Sequence, residues 1–137
     1  MGQMMQLLYH HAILDQVTDS IVVKEYRPDG NGNFVGGEIV CASKTKAEHY
    51  NLTIPKILGL TDFDLMSLEQ AQKSLESDLY VIVNGISIQN VEEIGAYPNG
   101  EVVRKSTSKS PFTYSNGEVG GVICISRLIE IISPAIK

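Results

Sequence analysis

Two Asn-Gly pairs, Asn99-Gly100 and Asn116-Gly117, cut the last third of the chain into segments that must fold back on one another. Asn-Gly between β-rich runs is a strong hairpin signal, because both residues tolerate the positive φ of a type I′ turn. Ile88 to Ala96 reads as the first strand and Glu101 to Tyr114, rich in Ser, Thr and Lys, as a long second one. Glu118 to Ser126 closes the series and runs into Arg127-Leu-Ile-Glu-Ile-Ile. Three strands joined by tight turns form an antiparallel meander.

Upstream lies a helical block. Ser43 caps a short helix over Lys44 to Tyr50, and Pro55 stands in the first turn of another that stops near Gly59. Ser67-Leu-Glu-Gln has the form of a capping box and opens the longest helix, to about Asn84-Gly85. Leu68, Ala71, Leu75, Leu79 and Ile82 recur at three- and four-residue steps and predict one buried face, with Gln70, Lys73, Glu76 and Ser77 in water. Before this block come two strands, Ile21-Val22-Val23 and Glu38 to Ala42, separated by the turn-rich stretch Tyr26 to Gly37. Gln3 to Gln16 reads as an amphipathic helix with a wide apolar stripe. Strands, a helical block and then a meander predict an α+β domain with one antiparallel sheet.

The chain has 137 residues, the length of a single domain, and a net charge of −5. That charge argues against nucleic-acid or anionic-membrane binding by bulk electrostatics. No apolar run reaches the ~20 residues of a membrane span, and the N-terminus does not read as a secretory signal. Cys41 and Cys124 sit in apolar runs, where Cys usually serves as a small hydrophobe, and no zinc-ligand spacing occurs. The expected compartment is the reducing cytoplasm.

Four segments, in order, resemble the PAS sensory domain: Asp19-Ser-Ile-Val-Val, Ile57-Leu-Gly-Leu-Thr-Asp-Phe-Asp-Leu, Pro98 to Phe112, and Asn116-Gly-Glu-Val-Gly-Gly-Val-Ile-Cys-Ile-Ser-Arg. Ser20 departs from the Gly usual in that family. The resemblance implies a five-stranded antiparallel sheet in the order 2-1-5-4-3, helices on one face and a flanking N-terminal helix. It divides the chain into a flanking helix (1–16), the PAS domain (17–129) and the start of a linker (130–137). If helices cover one face only, strand alternation leaves Val22 on the outer one. Met4, Met5, Leu8, Ala12 and Val22 are then the candidate dimer surface, with the N-terminal helix either shared between two chains or packed on its own sheet.

The resemblance places a pocket between sheet and helices, with candidate lining residues Cys41, His49, Tyr50, Phe63, Leu79, Glu92, Ser106 and Ser108. One of Glu92 and Glu93 faces the pocket, and Lys105 and Lys109 share a parity on the next strand, so a cross-strand ion pair, an anion site or a plain solvated sheet face is open. The long helix lacks the His of haem-binding relatives and the chain lacks the Asn-Cys-Arg-Phe-Leu motif of the flavin photosensors, which disfavours both cofactors. Asp62 and Asp64 read as helix-capping residues rather than a catalytic pair. The Gly-rich stretch Asn31 to Gly37 has no helix after it and does not read as a phosphate cradle. No catalytic or metal-ligating constellation appears.

The expected function is sensory: a small ligand or partner biases the packing, and the last strand passes the change to an output domain outside this chain. That output would belong to a histidine kinase of a two-component system, a cyclic-dinucleotide enzyme or a transcription regulator. The alternative is a ligand-free dimerisation and interaction module. A homodimer is expected, with no direct nucleic-acid or membrane contact.

Overall fold

The computed structural model describes residues 12–136. Residues 12–16 are helical, and Ala12 is exposed. Met4, Met5 and Leu8 lie outside the described residues. After them run β1 (Ser20–Pro28), β2 (Phe34–Ala42), α1 (Lys44–His49), α2 (Ile54–Ile57), α3 (Asp62–Leu65), α4 (Leu68–Asn84), β3 (Ile88–Ala96), β4 (Val102–Thr113) and β5 (Val119–Ser133). The five strands make one sheet in the order β2-β1-β5-β4-β3, and every neighbouring pair is antiparallel.

β1 and β2 extend further into the turn-rich stretch than its Gly and Asn content suggested. Register shifts at Val23/Lys24 and Glu25/Tyr26 leave Val40 and Gly37 as the extra residues of two bulges, so pairing continues to Pro28 and Phe34. The Asn99-Gly100 turn also differs from the type I′ expected of it. Gly100 N–H donates to Tyr97 O at 2.9 Å and Tyr97 N–H to Glu101 O at 2.9 Å, with positive φ at Gly100 (+89°) alone of the loop residues. This is a three-residue loop, a type I turn followed by a left-handed Gly. Tyr114 to Glu118 repeats it around Gly117. In each loop the Asn carboxamide oxygen accepts the N–H two residues on, which favours a type I bend over I′.

The helix signals hold at their caps. Ser43 Oγ accepts from Lys46 N–H at 3.3 Å, Ser67 Oγ from Gln70 N–H at 3.2 Å, and Gly85 ends α4 in the left-handed conformation. The buried face of α4 is shifted, however. Ala71, Asp78, Val81 and Ile82 are buried, Leu75 and Leu79 partly so, and Leu68 is 75% exposed. Leu68 is the first helical residue.

The core forms two clusters on the helix-covered face. Val22, Ile39, Ala42, Ala47 and Ile57 fill one end; Tyr26, Val81, Ile82 and Val122 fill the other. Each fully buried aliphatic side chain here contributes roughly 1.5–3 kcal/mol. Val22 is 3% exposed and belongs to the first cluster, which corrects its assignment to an outer dimer face. The alternation of β1 is as expected, but its phase is opposite: Val22, Lys24 and Tyr26 point inward. Gly121 lets β5 lie close to β1, since a Cβ there would fall 1.9 Å from Lys24 O. β5 runs on to Ser133, which pairs with Val102, so the sheet extends past Ile129.

Candidate functional site

Between the two core clusters, α1, α3 and α4 stand off the sheet and leave a cavity of about 820 Å³. Its wall is unusually polar for a protein interior. Lys24 and Lys109, on β1 and β4, point under α4 and meet two buried aspartates. Lys24 Nζ donates to Asp62 Oδ2 at 2.8 Å and reaches Asp78 Oδ2 at 2.5 Å. Lys109 Nζ donates to Asp78 Oδ1 at 2.7 Å and to Ser77 Oγ at 2.5 Å. Tyr26 O–H donates to Asp78 Oδ2 at 2.7 Å, and Ser74 O–H to Asp62 Oδ2 at 2.6 Å. Buried charges survive only when paired and hydrogen-bonded, and these are. Burial pulls the Lys24 ammonium down, but Asp78 and Asp62 outweigh it and hold its pKa above the ordinary value. Burial likewise works against the Asp62 carboxylate, yet Lys24 and Lys46 bring it down to about 2.

The other end of the cavity is built by α1 and the β3–β4 edge. Lys46, His49 and Tyr50 project from α1. His49 stacks on Tyr97 with centroids 4.3 Å apart, and Tyr50 meets the same ring edge-on at 5.7 Å. Lys46 is 7% exposed, and its ammonium lies 5.0 Å from the centre of the Tyr50 ring. Burial drives its pKa down to about 8, although Asp62 pulls the other way. Burial, with Lys46 and Lys105 beside it, also lowers His49. On the sheet side Thr107 O–H donates to Glu93 Oε1 at 2.6 Å and shares a 2.9 Å hydrogen bond with Ser126, tying β3, β4 and β5 together. Lys105 Nζ stands 3.9 Å from Glu93 Oε1, the cross-strand pair anticipated from β3 and β4.

Of the eight pocket candidates, His49 and Tyr50 line the cavity. Ser106 and Ser108 alternate with Lys105, Thr107 and Lys109 and therefore face the other side of the sheet, where both hydrogen-bond Asn90. Glu93, not Glu92, takes the cavity side. Cys41 pairs with Val23, on the face opposite Val22. Phe63 is exposed beside a separate crevice, and Leu79 packs against the Tyr26 cluster. Cys124 lines the cavity and is a free, partly buried thiol packed against the Val22 cluster. Gln70, Lys73 and Ser77 line it too, so the face of α4 read as solvated is partly its wall. Asp64 is the capping residue, accepting from Thr61 N–H at 2.9 Å, whereas Asp62 is an interior charge.

Lys24 and Asp78 escaped the sequence reading. The signal was there: Lys24 shares the strand parity of Val22 and Tyr26, and Asp78 lies seven residues, about two turns, after Ala71 on the apolar face of α4. A charge on an apolar parity marks a buried partner on another element.

No protein-family model matches the chain, and no curated protein sequence matches it. Solved structures do. VqmA of Vibrio cholerae, in complex with a ligand and DNA, superposes with a TM-score of 0.72 at 23% identity over 88% of this chain and 50% of that one. This chain thus spans about half of that VqmA chain. A PAS domain from Colwellia psychrerythraea gives 0.68 at 18% identity, covering 90% of this chain and 96% of that one. The PAS domain of Bordetella pertussis BvgS gives 0.67 at 17% identity over 91% and 87%. These likenesses, with the 2-1-5-4-3 sheet and the helices on one face, settle the architecture: this chain has the PAS fold.

Proposed function

We propose that the chain is a sensory PAS domain that binds a small molecule between its sheet and its helices and passes that event on through β5. One observation carries the reading: a hollow of about 820 Å³, within the size range of small-molecule sites, whose wall is lined by five lysines and the rings of His49, Tyr50 and Tyr97. β5 supplies Cys124 and Ser126 to that wall and then runs on to Ser133. A ligand touching those residues acts on the strand by which the chain leaves the sheet. It shifts the conformational balance only if it prefers one packing arrangement over another.

A transcription regulator is the favoured output, because the VqmA neighbour is described with both a ligand and DNA. A histidine kinase or a cyclic-dinucleotide enzyme would use the same module. The ligand is taken to be neither haem nor flavin, for α4 carries no histidine and the chain no Asn-Cys-Arg-Phe-Leu motif. The role is regulatory rather than catalytic, and the setting the cytoplasm; no helix among the described residues is long and apolar enough to cross a membrane. Native mass spectrometry of gently purified protein should reveal a bound small molecule. Cys124→Phe, which puts a ring into the cavity, should abolish that extra mass while the fold survives. An unaltered adduct in that variant would remove the cavity from the account.

The competing reading is a dimerisation module without a ligand. It is favoured by the exposed apolar residues Leu128, Ile129, Ile131 and Ile132 at the end of β5. Light scattering on Leu128→Lys and Ile131→Lys variants would test it: a dimer that dissociates supports it, and an unchanged mass removes this surface from the interface.

A further inference from the structure

The charges around the cavity do not balance. Five lysines line it: Lys24, Lys46, Lys73, Lys105 and Lys109. Four have a carboxylate within ion-pair distance. Lys24 and Lys109 share Asp62 and Asp78, Lys73 has Glu69 at 3.4 Å, and Lys105 has Glu93 at 3.9 Å. Lys46 has none among the described residues, and its Nζ makes no hydrogen bond among them. A protein with a net charge of −5 thus keeps one surplus ammonium against the wall of its cavity.

The opposite deficit lies on Asp62. Its Oδ2 accepts from Lys24 and Ser74, but its Oδ1 is buried with no partner, on a residue only 6% exposed. An ammonium at the cavity wall without an acceptor costs free energy, and an anion in the cavity recovers it. Asp62 does not meet that need, because the two side chains stand farther apart than an ion pair. Nδ1 of His49 is a second buried atom without a partner, on a ring already stacked against Tyr97. The rings of His49, Tyr50 and Tyr97 line the cavity beside Lys46 and offer flat surfaces to an aromatic or otherwise planar body.

We infer that the cavity selects a small, planar monoanion, its anionic group on Lys46 Nζ and its flat face against the rings of His49, Tyr50 and Tyr97. This rests on the reading of the cavity as a ligand site and adds the chemical class. An anion against Lys46 also opposes the burial that pushes its pKa down.

Benzoate and the three aminobenzoate isomers serve as probes, since each carries one anion on one flat ring. Each is titrated calorimetrically into the whole chain at neutral pH, beside its own amide, which lacks the charge. At least one acid should bind about tenfold or more tightly than its amide, the worth of one charge-assisted hydrogen bond. Lys46→Met should erase the preference for acid over amide. Lys46→Arg, which keeps the charge, should retain part of it. Equal binding of acids and amides overturns the inference and leaves the cavity reading standing. So does an acid preference that survives Lys46→Met, or the absence of saturable binding by any of the acids. Loss of the co-purified molecule's link to the cavity, tested with Cys124→Phe, bears instead on the cavity reading itself.

Discussion

The two ends of the same sheet face are built from the same materials and finished differently. At the Tyr26–Val122 end, α4 lies close on the sheet and each buried charge has its counterpart: Asp78 is held by Lys24, Lys109 and Tyr26 at once. At the Tyr50–Tyr97 end, the short helices stand away; Lys46 lines a hollow, and His49 Nδ1 and Asp62 Oδ1 are buried without partners. Burying polar groups is costly at both ends, but only the first end repays the cost from within the protein. The closed end reads as structure and the open end as a site awaiting a partner.

Breaking the closed end should have the largest effect. Asp78→Ala strips the carboxylate that two buried lysines share, and breaking a buried pair typically costs about 3–5 kcal/mol. Urea unfolding should register most of that loss. A cost below about 1 kcal/mol would mean that this end is held by packing alone, and the contrast would fail.

At the open end the sign should reverse. The Lys46 pKa of about 8 lies below the ordinary 10.5, so between those values the unfolded chain binds more protons than the folded one. Stability should therefore climb as pH rises from 8 towards 10, by no more than about 3 kcal/mol. Asp62, Lys24, Lys105 and Tyr50 surround that ammonium, and Tyr50, held above its ordinary pKa, limits the climb above pH 10. Lys46→Met should be more stable than the parent at pH 7 and lack the climb. A variant that loses stability would show that the ammonium already has a partner.

Asp62 belongs to both ends and sharpens the comparison in acid. Its pKa of about 2 lies below the ordinary 3.8, so its contribution is complete above pH 4 and disappears as pH falls towards 2. The loss amounts to about 2 kcal/mol and should be missing from the acid unfolding curve of Asp62→Asn. The smallest effect is expected from Tyr26→Phe, which removes one donor to Asp78 and should cost about 1 kcal/mol in thermal melts. Because Asp78 keeps two lysines, a much larger loss would show that the hydroxyl orders the whole network.

Much of the fold could be read from local chemistry. Ser43, Thr61, Ser67 and Gly85 mark helix ends by hydrogen bonds within a few residues, and both Asn-Gly loops mark hairpins. The turn type was less legible, since Asn99 and Asn116 bond to the backbone two residues on instead of adopting positive φ. The site was legible only in part. His49 and Tyr50 follow from the helix that carries them, and the pairing of a β3 glutamate with a β4 lysine follows from the hairpin. Ser106 and Ser108 were misplaced because period-two alternation fixes which residues share a face but not which face is covered. Val22 failed for the same reason on β1, where one shift of phase exchanges inside and outside.

The sequence by itself determined the order of elements, their caps and turns, and the antiparallel sheet they make, because those depend on contacts between near neighbours. It did not decide which strand parity lies under the helices, nor that Lys24, Asp62, Asp78 and Lys109, drawn from four separate elements, meet beneath α4. Only the tertiary structure decided those, along with the isolation of Lys46. Pairing between distant charges is set by how far each helix stands from the sheet, and that spacing is a property of the packed whole.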